Sequence, residues 1–179
     1  VRAEFSGVSP GTERLVGLGL VPAELHAAMA CRAMAGSFDL PIKYGYCLVG
    51  RAIDGALAGA RVFTMHPHQD VVDVADGDAL PLPDTLPPAR AALIANLETA
   101  WNAVWDASLQ AGEKVAIVGA GVVGLSIAYA MRRTSAVGPV VVELDPARRA
   151  FAARLPFVDR ACAPEAIEPG SVAVAFHTS

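Results

Sequence analysis

Apolar residues follow two different rhythms along this chain, and the change comes near the middle. Up to about Pro83 they come in short bursts among glycines and prolines. Leu48-Val49-Gly50-Arg51-Ala52-Ile53, Arg61-Val62-Phe63-Thr64-Met65 and Val71-Val72-Asp73-Val74 have the length and β-branched content of strands. Asp54-Gly55 and Asp76-Gly77 supply turn signals around them. The stretch from Pro22 to Ala35 has helical composition and reads as a surface helix. This half predicts a small, mostly-β domain with irregular loops.

Beyond the proline-punctuated link Leu80-Pro81-Leu82-Pro83-Asp84 the period lengthens. Pro87-Pro88 stands at a helix start, where a missing N–H does no harm. Ala89 to Ser108 predicts one long helix with Leu93, Leu97, Trp101, Val104 and Trp105 at i, i+3, i+4 spacing. Trp101 and Trp105 fit an apolar helix face packed on a core or a domain interface better than a ligand-stacking pair. From Lys114 strands and helices alternate. Val115-Ala116-Ile117-Val118 is a buried strand, and Val122 to Arg133 a helix with Arg132 and Arg133 suited to its C-terminal end. Val140-Val141-Val142-Glu143-Leu144 is a second strand, and Pro146 to Arg154 a second helix. Phe157-Val158 opens a third strand, and Val172 to Phe176 forms a fourth. Continuous apolar strands alternating with helices indicate a parallel sheet covered on both faces. The fold class is therefore α/β.

Composition narrows the function. The 179 residues suffice for one large domain or two small ones, and 54% are hydrophobic against 18% charged, so disorder is excluded. The net charge is −4, and no basic stripe with interleaved aromatics suggests a nucleic-acid partner. Val115 to Met131 is apolar but shorter than the ~20 residues of a membrane span, and three glycines break it. Cys31, Cys47 and Cys162 are odd in number, far apart and without a Cys-x-x-Cys pair. That fits a reducing cytoplasm rather than a disulfide framework. The ends read as cut, because Val1-Arg2-Ala3-Glu4-Phe5 resembles the middle of a protein and Val172 to Phe176 a strand that stops as a loop begins.

The chemistry centres on Gly119-Ala120-Gly121-Val122-Val123-Gly124. A lone Gly-x-Gly-x-x-Gly is a weak signal, but here a strand ends at Val118 and a helix opens at Val122, as a dinucleotide fingerprint requires. Gly119 permits the tight turn, Gly121 clears space for a pyrophosphate, and Gly124 lets the helix pack on the strand. Free N–H groups at the helix start, with its partial positive charge, suit a diphosphate. Glu143 stands at the end of the second strand, about 20 residues on, where an acid receives the adenosine ribose hydroxyls. It would repel a 2′-phosphate, which favours NAD over NADP. Arg148 and Arg149 oppose that preference. Asp145 is the runner-up acid, but Pro146 follows it directly, which suits a helix cap.

On these residues the chain resembles the medium-chain dehydrogenase/reductase superfamily from Phe5 to Ser179. Further landmarks are Ser6-Gly7-Val8-Ser9-Pro10-Gly11-Thr12-Glu13, Tyr44-Gly45-Tyr46-Cys47-Leu48-Val49-Gly50 and Pro81-Leu82-Pro83-Asp84. The most similar branch is zinc-type alcohol dehydrogenase-like, related to bacteriochlorophyllide-dehydrogenase-type proteins. The resemblance implies a GroES-like substrate domain over 1–85, lacking its N-terminal strands, and the first half of a Rossmann doubly wound parallel sheet over 86–179. It implies a small-molecule alcohol/carbonyl substrate in the cleft between them and a homo-oligomer for a full-length parent. The zinc ligands of that branch are absent. Ser9 stands for a ligand Cys, Tyr46 and Cys47 for the His and Glu of Gly-His-Glu, and Ala95 for a third ligand. His66-Pro67-His68-Gln69-Asp70 replaces the structural-zinc lobe. No zinc is expected.

A zinc-free enzyme needs another group to move the proton. Tyr46, His68 and Ser9 are the catalytic candidates, by phenol, imidazole and hydroxyl. Tyr46 could equally be a packed ring, and His66 and His68 a loop pair satisfied by backbone. His66 and His68 at i, i+2, joined by Cys47 or Asp70, would form a metal site in a new arrangement, a weaker reading. Thr12 and Glu13 read as pins for the loop backbone. The expected cofactor contacts are Gly119, Gly121, Val122, Val123, Gly124, Glu143, Leu144 and Arg148, with Thr99, His177, Thr178 and Ser179 by resemblance. The reading is an NAD-preferring, zinc-independent oxidoreductase. Two alternatives stand beside it: an NADPH-dependent quinone or enone reductase, and a catalytically silent nucleotide-binding remnant.

Overall fold

A computed structural model of the chain describes residues 1–134 and 138–178. They divide into two compact units, Val1–Ala95 and the residues from Asn96 onward. In the first unit the elements are β1 (Arg2–Ser6), α1 (Thr12–Gly17), α2 (His26–Met29), β2 (Ala35–Gly36), β3 (Ile42–Lys43), β4 (Leu48–Arg51), β5 (Arg61–Thr64), β6 (Leu80–Pro81) and α3 (Pro88–Ala91). β1, β4, β5 and β6 lie side by side in that order, each antiparallel to the next, and β2 pairs with β3 apart from them. Val49 and Phe63 turn one face of the sheet towards Cys47, Ala91 and Ala92, all buried together. Val16, Val21 and Phe38 form a smaller cluster under α1, with Tyr44 at its margin.

Two expectations for this half need correction. Val71 to Val74 is not a strand: Val71 makes only an isolated bridge to Arg2, although the Val72 N–H still reaches the carbonyl of Val1 at 2.9 Å. Pro22 to Ala35 is not one helix but a single 3-10 turn at Ala23–Leu25 followed by α2. Most of that stretch is exposed, and so short a helix without a buried face gains little from packing.

The second unit contains α4 (Ile94–Asp106), which begins at the boundary, then β7 (Val115–Val118), α5 (Val122–Thr134), β8 (Val140–Val142), α6 (Pro146–Ala152), β9 (Arg160–Cys162) and β10 (Val174–His177). The strands run β9-β8-β7-β10, all parallel. Successive residues feed opposite faces, as the two-residue strand period demands. Val115, Ile117 and Val141 pack with Ala100 and Val104 of α4, Ile127 and Met131 of α5, and Ala152 of α6. Ala116, Val142 and Cys162 form the core on the other face.

The expected long helix is broken at Ala92-Leu93, because its two parts serve different cores: Ala91 and Ala92 lie in the cluster of the first unit, Ala100 and Val104 in that of the second. Trp101 packs partly against the second core, whereas Trp105 stays 66% exposed. The third strand starts at Arg160, not at Phe157; Phe157 instead meets Tyr129 edge-on at 5.6 Å. The second strand stops at Val142, leaving Leu144 in the open. Among the described residues no helix is long and apolar enough to cross a membrane.

Ile117 is fully buried at the centre of the parallel sheet. Ile117→Ala should lower the unfolding free energy by about 2–5 kcal/mol in a urea titration followed by circular dichroism. A loss below about 1 kcal/mol would contradict this packing.

Candidate functional site

The strand order of the second unit reverses between β7 and β10. Such a reversal opens a crevice beyond the carboxyl ends of the strands, where ligands of these sheets bind. The Gly119–Gly124 turn lies at this point. Gly119 takes φ +106°, a conformation that L side chains rarely adopt, and its N–H donates to the carbonyl of Val142 at 2.8 Å. A Cβ on Gly124 would collide with the Gly119 carbonyl and come within 2.7 Å of the Thr178 hydroxyl. A Cβ on Gly121 would meet nothing within 4 Å. The three glycines thus have three separate reasons, and the one at Gly121 is open space. α5 begins directly behind it, so the N–H groups of Val122, Val123 and Gly124 head a 13-residue helix with no preceding turn to accept them. These donors and the open space above Gly121 fit a dinucleotide diphosphate. Thr178 closes the floor, its hydroxyl donating to the carbonyl of Val118 at 2.9 Å.

Glu143 reaches into the turn from the end of β8. Its Oε2 accepts the Ala120 N–H at 2.8 Å and its Oε1 the Asp145 N–H at 2.9 Å. Burial would raise this carboxyl, but the N–H groups of Asp145 and Ala120, with the Arg148 charge, outweigh it and hold Glu143 below the ordinary carboxylate range. Asp145 caps α6 by accepting the Arg148 N–H at 2.8 Å. The two arginines part company. Arg149 donates to the carbonyls of Glu143 at 2.6 Å and Leu144 at 3.2 Å, whereas the Arg148 side chain is exposed. Thr99 lies on the exposed side of α4, and Ser179 falls outside the described residues.

In the first unit the candidates gather around Glu13. Its Oε1 accepts the Ser9 N–H at 2.8 Å, and its Oε2 meets His68 Nε2 at 2.5 Å. The Ser9 hydroxyl accepts the Thr12 N–H at 3.3 Å, so Ser9 and Glu13 brace the start of α1 reciprocally. The other ring nitrogen of His68, Nδ1, meets the Ser6 hydroxyl. Gly45 allows this placement: it has φ +131°, and a Cβ there would come within 2.7 Å of His68 Nε2. Sequence reasoning named Ser6 only within a landmark of the resemblance and gave Glu13 only its loop-pinning part. The one local signal was the pairing of Ser9 with Glu13 around a helix start.

Tyr46 stands apart from this group. Its half-buried ring packs on the cluster of Cys47, Val49 and Phe63, and meets Tyr44 edge-on at 6.4 Å. Burial, with the charge of Glu13, pushes the Cys47 thiol up to about 11, so it stays protonated and is a poor metal ligand at neutral pH. His66 and His68 do not share a strand face. His66 Nδ1 lies 3.2 Å from the Gln69 amide, within its own loop. Among the described residues no three His, Cys, Asp or Glu side chains converge as a metal would need. A cavity of about 380 Å³ in this unit is lined by Arg32, Phe63, Thr64, His66, Asp78 and others, with neither His68 nor Tyr46 in its walls.

No known protein-family profile matches the chain. Solved structures do match. A quinone oxidoreductase from Thermus thermophilus, solved alone and with NADPH, is 25% identical, covers 90% of this chain and 49% of its own, and superposes with a TM-score of 0.65. TarJ from S. aureus in complex with NADPH is 17% identical over 100% of this chain and 56% of its own, with a TM-score of 0.71. The 2R,3R-butanediol dehydrogenase from Bacillus subtilis is 22% identical over 75% and 51%, with a TM-score of 0.61. The chain spans about half the length of these proteins. It has the fold of the medium-chain dehydrogenases and reductases, a GroES-like β unit followed by a Rossmann-type parallel sheet, as its landmarks imply.

Glu143 carries a pH prediction. Because its carboxyl is lower in the folded chain than in the unfolded one, its contribution is present above its ordinary value of 4.5 and is lost as pH falls through the lowered value. Acid unfolding of Glu143→Gln should therefore show a shallower fall in stability below pH 4.5 than the wild type does. Parallel acid limbs would contradict the hydrogen-bonded carboxylate.

Proposed function

We propose that the protein is a nicotinamide-dependent oxidoreductase acting on a small alcohol/carbonyl pair. The single observation that carries this reading is the open space above Gly121, facing the start of α5 at the point where the strand order reverses. Val122, Val123 and Gly124 would hold the diphosphate by their N–H groups. Glu143 would take the adenosine ribose hydroxyls while still bonded to the turn through Ala120. Leu144 and Arg148 would flank the adenosine, and Thr178 and Thr99 would stand further along the dinucleotide. When bound, the nicotinamide supplies or accepts the hydride. The chain supplies orientation and a proton path, for which His68 is better anchored than Tyr46 or Ser9. The donor set for zinc is lacking at Ser9, Tyr46, Cys47 and Ala95, and no step here passes through a metal.

Glu143 makes NAD the preferred cofactor, since a 2′-phosphate beside this carboxylate would be repelled. The second reading is an NADPH-dependent reductase. It is favoured by the exposed guanidinium of Arg148 beside the same carboxylate, and by NADPH in the Thermus and S. aureus relatives.

Paired fluorescence titrations separate the two. NADH is expected to bind at least about tenfold more tightly than NADPH, a difference of about 1.4 kcal/mol. The reverse order would transfer the assignment to Arg148 and the reductase. Gly121→Val should abolish binding of both with the melting temperature unchanged, because its side chain enters open space. Undiminished binding by that variant would remove the turn from the site.

A further inference from the structure

We infer that the cavity of the first unit binds a small organic cation, an amine carried on an apolar body. The inference goes beyond the oxidoreductase reading and rests on the first unit alone, so neither stands or falls with the other. At about 380 Å³ the cavity falls within the ~300–1,000 Å³ of small-molecule sites.

Its shape follows from the end of β5. The strand stops at Thr64 and the chain turns at once, the His66 N–H returning to the Thr64 carbonyl at 3.1 Å. On the other side the segment from Asp73 to Leu80 comes back to the sheet through a 3-10 turn at Asp76–Asp78. The cavity lies between the two, and Arg32 ties its rim by donating to Asp78, 46 residues away in the sequence, at 2.5 Å. Phe63 and Leu80 are cross-strand partners, so their side chains share one face of the sheet. With Ile94, which packs in the cluster of Phe63, they make an apolar wall. A flat hydrocarbon body fits against it.

A hydroxyl in the wall has capacity to spare. Thr64 is only 2% exposed, and its side chain makes no hydrogen bond among the described residues. Among those residues every fully enclosed side-chain oxygen or nitrogen has a partner. The Thr64 hydroxyl therefore meets open space, and the open space that Thr64 borders is this cavity.

Charge selects the ligand. The charges of the wall at neutral pH, His66 aside, are one guanidinium, Arg32, and two carboxylates, Asp73 and Asp78. Arg32 and Asp78 neutralise each other. Asp73 makes no ion pair among the described residues. An anion would meet two carboxylates around a guanidinium already committed to one of them. A cation meets one carboxylate in surplus beside apolar walls, where the attraction is less screened than in bulk water. The ammonium takes Asp73 as counter-ion and the Thr64 oxygen as an acceptor, and its hydrocarbon lies on Phe63, Leu80 and Ile94.

Calorimetric titration of the full-length protein with 2-phenylethylamine, backed by amide NMR, tests this. One molecule is expected to bind with a Kd of about 1 mM or tighter, and 3-phenylpropionate, similar in size and opposite in charge, at least about tenfold more weakly. Asp73→Asn should weaken the amine about tenfold with the melting temperature unchanged, because Asp73 is exposed and outside any ion pair. Arg32→Gln should act the other way and tighten the amine severalfold, because it releases Asp78 as a second counter-ion. The amide shifts should fall at Thr64, Met65, His66 and Ala75, which line the cavity. Tighter binding of the propionate, or amine binding abolished by Arg32→Gln, overturns the proposal in favour of an anion. Amine binding indifferent to Asp73→Asn, shifts confined to other residues, or no saturable binding of the amine overturns it outright. Each of these outcomes leaves the dinucleotide titrations, and the oxidoreductase reading they test, untouched.

Discussion

Gly124 occupies a place where not even a methyl group fits, and the second unit is arranged around that contact. The first turn of α5 lies against the carbonyl of Gly119 and the hydroxyl of Thr178, so helix, turn and the end of β10 are locked at one spot. At this close approach Gly119 takes its positive φ, and Gly121 has open space where a side chain would stand. From there the neighbouring features follow. The helix start points its N–H groups at that space, and Glu143, at the end of β8, is near enough to bond the Ala120 N–H. Packing at Gly124 and binding space at Gly121 are two consequences of one backbone path.

The first unit uses a glycine in the same sense. Gly45 removes the side chain that would push His68 away, and the imidazole then spans Glu13 and Ser6. Each partner is restrained in turn, Glu13 by the Ser9 N–H and Ser6 by the carbonyl of Cys47. The cluster sits at the surface of the unit but is fixed by backbone groups of Ser9, Tyr44 and Cys47. That is the arrangement expected of a group meant to keep one tautomer and one orientation.

Much of the second unit was legible in the sequence because its signals are local. The strand before Gly119, the helix after it and the acid at Glu143 lie within one βαβ repeat, and spacing alone aligns them. The cluster in the first unit was not legible. Its members are 55 and 62 residues apart in the sequence, and tertiary contacts such as the bond from the His68 N–H to the Tyr44 carbonyl bring them together. Glu13 looked like a loop pin because its bond to Ser9 is local and its bond to His68 is not. Periodicity also overran at Ala92-Leu93, where one apolar pattern serves two cores, and at Val71 to Val74, where β-branched residues find a single bridge and no ladder.

The central claim is that the Gly119 turn receives a nicotinamide dinucleotide. Amide NMR of the nitrogen-15-labelled chain during addition of NADH tests it most directly. Binding at this turn should shift Gly119 to Gly124, with further shifts at Glu143, Leu144 and Thr178. Saturating NADH with those amides unmoved, or with the shifts clustered elsewhere, would contradict it.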